Sequence, residues 1–340
     1  MATVLLATRR LIVGATFCYS IGILGLAAIW SIDPLAAWWV ELSNLLALLL
    51  FVPLLLLLPL ALALRSVPMR VAVAAVLLAF VALFGARFLP PVAAAPQGTP
   101  LRVITFNQLF ANQQVDTLVA AIRAQHADLV AIQELSIPVA AALARDLAAE
   151  YPYQYLRPFD NQQGLGLISR YPFASAGETQ NNLRGQQVTL AINGQTLTLM
   201  NMHLSAPIIN VRHIAGIPIA TGYDTSSPTH QVGRLAELID QTSGPLVVLG
   251  DFNTGDREPR YAELARRMQD AFRATNWGFG FTFPDHKRFG PLVVPWPLLR
   301  IDYVWSKGAV QAQAARVECN NTGADHCLMV ADLRLAAAQP

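Results

Sequence analysis

The sequence predicts an α/β domain of mixed sheets covered by helices, carried behind three membrane-spanning helices. Three observations lead there. Charge is nearly absent from residues 1–89, which hold only Arg9, Arg10, Asp33, Glu41, Arg65, Arg70 and Arg87. From Leu101 onward, short β-rich runs alternate with helical patterns. Polar side chains of catalytic type stand at the ends of those runs. The 340-residue chain as a whole is 54% hydrophobic and 14% charged, with a mean hydropathy of +0.40. An ordinary soluble domain carries about 25% charged residues.

The elements follow in order. Leu11–Trp30 is uncharged and has the roughly 20 residues that a bilayer core requires. Leu45–Leu64, LLALLLFVPLLLLLPLALAL, is nearly pure leucine, and Pro53 and Pro59 are kinks that a membrane tolerates. Val71–Leu89 is the third span, with Arg87 placed to snorkel at its end. A signal peptide competes for the first span, but two more spans follow and no A-x-A site does. Residues 1–89 therefore read as a membrane anchor. Arg9 and Arg10 precede span one, and Arg65 and Arg70 separate spans two and three. The first loop, with Asp33, Trp38, Trp39 and Glu41, has no basic residue. The positive-inside rule then places the N-terminus in the cytoplasm and the remainder, after three crossings, outside. Pro90–Pro100, PPVAAAPQGTP, is an extended proline-rich linker.

Residues 101–340 read as one domain. Arg102–Phe106, Leu129–Ile132, Gly166–Ser169, Leu246–Leu249, Ile301–Trp305 and Met329–Leu333 are predicted strands. Val188–Ile192 and Thr196–Met202 form a hairpin around Asn193-Gly194. Val115–Gln125, Val139–Glu150, Thr229–Gln241 and Tyr261–Met268 are predicted helices. Five of the 24 basic and two of the 22 acidic residues precede Leu101, leaving 19 against 20, a net charge of −1. A duplex-binding protein shows more excess positive charge. The arginines of Arg257–Arg273 alternate with Asp256, Glu258, Glu263 and Asp270, as on a solvated helix face.

Six strand ends carry the chemistry. Asn107 follows VITF, Glu134 follows LVAIQ, His203 follows LTLMNM, and Asp251 with Asn253 follow LVVLG. Asp302 opens DYVW, and Asp325-His326 precede CLMVADL. Each alone has a dull explanation, a turn former or a helix cap. Together they exceed what capping explains.

The order of motifs resembles the endonuclease/exonuclease/phosphatase superfamily, from TFN (105–107) through IQE (132–134), GLGLISRYP (164–172), MHLS (202–205), GDFN (250–253) and RIDYVW (300–305) to ADH (324–326). The resemblance covers roughly Leu101 to Leu335 and implies a four-layer α/β/β/α sandwich with its site where strand-end loops converge. It implies that Glu134 is the principal ligand of a divalent metal, Mg²⁺ or Mn²⁺, with Asn107 and Asp325 close by. It implies that Asp251 and Asn253 orient the attacking water and the phosphate. His326 would be the general base or transition-state partner, aligned by Asp302, and His203 would contact the scissile phosphate. Arg184, in NLRGQ, is a looser match to a phosphate-binding arginine. Elementary chemistry agrees, since a hard oxygen-ligated cation offsets phosphoryl charge and a carboxylate polarises water. Two departures from the family pattern are Ala324, where Ser is usual, and Leu109, where many members have a polar residue.

The fold does not settle the substrate. Two apolar segments adjoin site motifs, Ala206–Ala220 and Gly290–Leu299, and each reads equally as core packing or a β-hairpin, or as a greasy rim. With near-zero domain charge and a membrane anchor, the rim reading favours a lipid-linked phosphate in the bilayer. An extracytoplasmic nuclease and a catalytically inactive membrane receptor are the alternatives. Of three cysteines, Cys319 and Cys327 flank the loop holding Asp325 and His326. They stand either as a disulfide bracing that loop in an oxidising compartment or as two free thiols.

Overall fold

The computed structural model describes residues 2–89, 97–180, 183–290, 292–319 and 322–336. It divides into two compact units. One comprises Met1–Leu89 with two later segments, Ile208–Asp224 and Arg257–Pro259, and the other is the rest of the chain.

The first unit contains helices α1 (Ala2–Ile32), α2 (Trp38–Leu45), α3 (Ala47–Leu50), α4 (Leu54–Ala63) and α5 (Val67–Phe84). Leu6–Ile32 and Val67–Phe88 are each long and apolar enough to cross a membrane. The second predicted span is not one straight helix. Trp38–Leu45 and Ala47–Ala63 meet at 81°, so the chain has two candidate spans, or three if that bent pair counts as one. The break falls at Leu46, while Pro53 and Pro59 lie within the second arm, at the N-cap and inside α4.

The second unit holds most of the strands. In chain order they are β1 (Thr99–Asn107), β2 (Leu129–Gln133), β3 (Tyr153–Arg157), β4 (Leu165–Ser169), β5 (Phe173–Glu178), β6 (Gly185–Ile192) and β7 (Gln195–His203). Then come β8 (Ile208–Ile214) and β9 (Ile217–Asp224), which belong to the first unit. The list closes with β10 (Leu246–Asp251), β11 (Gln269–Asp270), β12 (Lys287–Phe289), β13 (Leu292–Val294), β14 (Asp302–Lys307), β15 (Val310–Glu318) and β16 (Leu328–Leu335). Helices α6 (Val115–Ala124), α7 (Ile137–Asp146), α8 (Ser226–Gln241), α9 (Pro259–Ala265) and α10 (Ala271–Thr275) intervene.

Two six-stranded sheets result, ordered β15-β16-β1-β2-β4-β3 and β11-β14-β10-β7-β6-β5. Strands at both centres bury both faces, and alternation sorts the side chains. Val103, Leu129, Ala131 and Leu167 pack against Val188, Leu199, Val247, Leu249 and Val304 between the sheets. Ile104, Phe106, Val130 and Ile132 turn outward to Leu118 and Ile122 of α6 and to Val139 and Leu143 of α7. On the far side Met200, Val248 and Trp305 meet Val232, Leu235 and Ile239 of α8. This is the expected four-layer α/β/β/α sandwich.

The central strands run together so that their ends form one site. β1 pairs with β2 in parallel, Asn107 opposite Gln133, and β10 pairs with β7 in parallel, Asp251 opposite His203. β14 pairs antiparallel with β10, setting Asp302 opposite Asp251. The glycine of GDFN is sterically required. Gly250 has φ +145°, and a Cβ there would lie 1.9 Å from the Met202 carbonyl oxygen.

Several elements departed from the sequence reading. β3, β5 and β15 were unforeseen; β3 and β5 are exposed or half-buried edge strands with little apolar pattern to detect. Ala206–Ala220 falls in the β8–β9 hairpin, the hairpin alternative rather than core packing, and Lys287–Val294 forms a second small hairpin. Thr99 and Pro100 belong to β1, paired with Leu335 and Arg334, so only the end of the expected linker is ordered into the sheet. Residues 90–96 of that linker lie outside the described residues.

Candidate active site

Each predicted strand-end residue of the second unit can now be placed. Asn107 ends β1, and its side-chain Nδ2 donates to Glu134 Oε1 at 3.3 Å and to Asp251 Oδ2 at 3.0 Å. Glu134 follows β2 in a left-handed conformation, φ +56°, which turns its carboxylate back over the strand ends. Its Oε2 accepts from the Phe110 N–H at 3.1 Å, and the Gln108 side chain donates to its carbonyl oxygen. His203 ends β7. Its Nδ1 lies 3.1 Å from the Gln162 carbonyl oxygen, which assigns the hydrogen to Nδ1 and leaves Nε2 as the bare nitrogen. That nitrogen faces Asp251 Oδ2 at 3.7 Å and Glu134 Oε1 at 3.9 Å.

Asp251 is 1% exposed and sits at the centre. It accepts from Asn107, from the Asn253 N–H at 2.8 Å and from the Asn253 carboxamide at 3.3 Å. Asn253, at φ +48°, also donates to the Leu204 carbonyl at 2.9 Å, so its amide is engaged in holding the site together. Asp302, fully buried, accepts from His326 Nδ1 at 2.9 Å, and its backbone N–H donates to Thr282 Oγ1. His326 Nε2 in turn lies 3.8 Å from Asp251, and the Phe283 ring packs against the imidazole, tilted by 45° with centroids 4.7 Å apart.

The proton affinities diverge accordingly. Burial lowers His326, but Asp302 and Asp251 outweigh it and push the ring up to about 10. Burial, with the positive fields of Arg184 and His326, drives His203 down to about 3. Burial also raises Asp251 to about 7, against the lowering influence of His326. One imidazole is thus held charged, the other neutral, and a carboxylate is poised near neutrality, a pattern typical of acid–base sites.

A model of the Endonuclease/Exonuclease/phosphatase family matches residues 104–326. The chain belongs to this family. Its members are typically metal-dependent phosphodiesterases and nucleases. A comparison with curated proteins gives no match. Among solved structures, D. rerio TDP2 complexed with single strand DNA product shares 17% identity at a TM-score of 0.54, covering 69% of this chain and 99% of that one. The endonuclease/exonuclease/phosphatase from Bacteroides vulgatus shares 19% identity at a TM-score of 0.52, covering 70% and 99%. A functionally unknown conserved protein from Enterococcus faecalis V583 shares 16% at a TM-score of 0.52, covering 70% and 100%. At these identities the likeness establishes the fold.

The donor chemistry fits the divalent cation on which the family generally depends. Glu134, Asp251 and Asp302 crowd three carboxylates into a buried site, and hard oxygen donors of this kind suit Mg²⁺ or Mn²⁺. Asp302 Oδ1 is buried without a hydrogen-bond partner among the described residues. Asp251, Asp302 and His326 bring candidate ligand atoms within 4.8 Å of one another. The bare Nε2 of His203, facing Asp251 and Glu134, adds a nitrogen donor to the same cluster. Asp325, expected beside Asn107 and Glu134, has its Oδ2 on Lys287 Nζ at 2.6 Å, although its charge still reaches His326.

Further polar residues surround the site, and the first two groups escaped the sequence reading. Below the strand ends lies a buried polar layer: Gln133 donates to Asn201 at 2.7 Å, Thr105 donates to Gln133 at 3.2 Å, and Asn201 donates to Gln186 at 3.1 Å. It ties β1, β2, β6 and β7 together one or two residues behind Asn107, Glu134 and His203. Arg300, of RIDYVW, is buried and paired with Asp270 at 2.6 Å. Arg184 lines a cleft of about 190 Å³ together with Arg157, Phe159, Gln163 and Glu178. Finally, Cys319 and Cys327 form a disulfide across the loop that carries Asp325 and His326.

Proposed function

We propose that this protein is a membrane-anchored, divalent-metal-dependent phosphoesterase that hydrolyses a lipid-linked phosphate or phosphodiester outside the cytoplasm. The observation that carries the reading is the convergence of Asn107, Glu134, His203, Asp251, Asn253, Asp302 and His326 in one buried cluster with opposed proton affinities. A bound divalent cation would supply charge to offset the phosphoryl oxygens, held by Glu134 with Asn107 and Asp325 as candidate companions. Asp251, raised toward neutrality, takes the proton of the attacking water. Asn107 and Asn253 fix that carboxylate in place. His326, kept protonated by Asp302, meets the negative charge that grows on the phosphate, so transition-state partner suits it better than base. His203, neutral and locked by Gln162, faces the same point.

A lipid-linked substrate is supported by the apolar helices of the first unit and by the net charge of −1 from Leu101 onward. Proteins that grip DNA neutralise several phosphates with Lys or Arg. With the bent pair Trp38–Ala63 counted as one crossing, external placement is supported by the basic residues flanking the spans and by the Cys319–Cys327 disulfide, a bond that persists on oxidising sides of membranes. The test is a screen of the full-length protein with Mg²⁺, with and without chelator, against bis-p-nitrophenyl phosphate, phospholipids, polyprenyl pyrophosphate and single-stranded and plasmid DNA. Chelation should abolish turnover, and a lipid phosphate should be the best substrate. Faster degradation of DNA, the ligand named for the D. rerio relative, would establish the nuclease alternative instead. No turnover of any substrate would leave the receptor alternative.

A further inference from the structure

Outside the helices of the first unit, the β8–β9 hairpin carries the longest run of exposed aliphatic residues among the described residues. Ile208, Ile209, Val211, Ile214, Ile217 and Ile219 are each between 42% and 62% exposed, and every residue of β8 is exposed. The ribbon therefore has no core of its own. A contiguous exposed apolar surface of this kind marks an interaction site.

Its place in the fold says what covers it. The hairpin belongs to the compact unit of the spanning helices, where β9 packs on α2. α2 opens with Trp38 and Trp39, both exposed, an amphipathic pair that favours the headgroup level of a bilayer. Arg257, in the same unit, stands over the Trp30 ring at the end of α1 and the Phe84 ring at the end of α5, and it bonds Asn44 of α2 at 2.9 Å. The Tyr223 hydroxyl of β9 donates to Glu258 at 3.2 Å. The ribbon is thus fastened at the end of the helix bundle where α1 and α5 both finish. Along the ribbon, Arg212 sits among the isoleucines as a long cation able to reach lipid phosphate while its stem stays in apolar surroundings.

We infer that the β8–β9 hairpin docks in the headgroup–acyl boundary of the bilayer that α1 and α5 cross, an inference that rests on the membrane-anchored reading above. Its base is five residues beyond His203 in sequence. A substrate lipid held at that boundary would meet an element continuous with a catalytic strand, without leaving the membrane.

The test uses the full-length chain with Cys18→Ser and the disulfide intact, in phosphatidylcholine–phosphatidylglycerol vesicles. Single cysteines carrying an environment-sensitive fluorophore replace Ile214 or Ile217 at the exposed hairpin tip. Leu78 on the exposed face of α5 and Arg145 on α7 serve as membrane and water references. The expected result is a blue shift at 214 and 217, with strong quenching by lipids brominated near the headgroup and weaker quenching by those brominated deep in the chain. Water-like emission at the hairpin while Leu78 is quenched overturns the inference and leaves the anchor reading standing. An unquenched Leu78 overturns both. A blue shift without lipid quenching, accompanied by crosslinking between copies through residue 214, assigns the ribbon to self-association and also overturns the inference.

Discussion

Asp302→Asn separates the electrostatic role of His326 from its presence. In the native site the ring is lifted from 6.5 to about 10, because Asp302 at 2.9 Å and Asp251 at 3.8 Å outweigh burial. At about 1.4 kcal/mol for each tenfold change in proton affinity, that lift is worth roughly 5 kcal/mol in favour of the imidazolium. The carboxamide keeps the shape but removes the first of the raising charges, so burial gains weight and the ring loses its proton at much lower pH. At pH 8 the variant should lose roughly 10²–10⁴-fold in kcat with KM little changed, because the lost interaction belongs to the transition state. At pH 5.5, where the ring recharges, the loss relative to wild type should shrink at least tenfold. His326→Ala, with no ring to recharge, should lose several orders of magnitude and show no recovery at pH 5.5. The assay is hydrolysis of bis-p-nitrophenyl phosphate by the full-length protein with Mg²⁺ between pH 5.5 and 9. If Asp302→Asn kept more than a tenth of wild-type kcat at pH 8, or lost the same factor throughout, the charged-histidine argument would fall.

Three further outcomes are expected. Gly250→Ala places a Cβ against the Met202 carbonyl at a φ reserved for glycine, and should cost about 3 kcal/mol or more in denaturant unfolding; a loss under 1 kcal/mol would contradict the close approach. His203, lowered to about 3, refuses below pH 6.5 a proton that the unfolded chain accepts. Its contribution to stability is therefore present above 6.5 and drains as pH falls, at about 1.4 kcal/mol per pH unit. The stability gap between wild type and His203→Gln, measured with chelator from pH 7.5 to 4.5, should narrow at that rate, and a constant gap would refute the buried neutral ring. Cleaving the Cys319–Cys327 bridge, which closes a short loop of sequence separation 8, should cost roughly 2.5 kcal/mol in the chain-entropy picture; an unchanged urea midpoint with reductant would show the bridge to be idle.

Much of the site was legible because its residues are local signals. Asn107, Glu134, His203, Asp251 and Asp302 each stand where an apolar run stops, and a run's length and period can be read without knowing its neighbours. Gly250 before Asp251 was visible as part of GDFN, yet its reason, the Met202 carbonyl on the adjacent strand, exists only once β7 and β10 pair. The same limit hid the Gln133–Asn201 layer and the Arg300–Asp270 pair, whose members are 68 and 30 residues apart and look like ordinary surface polars in sequence. Proton affinities were equally out of reach. Two histidines of one residue type end at about 10 and about 3, since Asp302 and Asp251 outweigh burial at His326, whereas at His203 burial dominates and Arg184 and His326 add to it. The sequence by itself determined the apolar N-terminal helices, the layer pattern and which side chains reach the strand ends, all of which depend on local period and composition. Tertiary structure alone decided the bend in the second apolar segment, the grouping of the β8–β9 hairpin with the helices, and the meeting of Asn107 with Asp251 across 144 residues, because those depend on which distant surfaces find each other to bury.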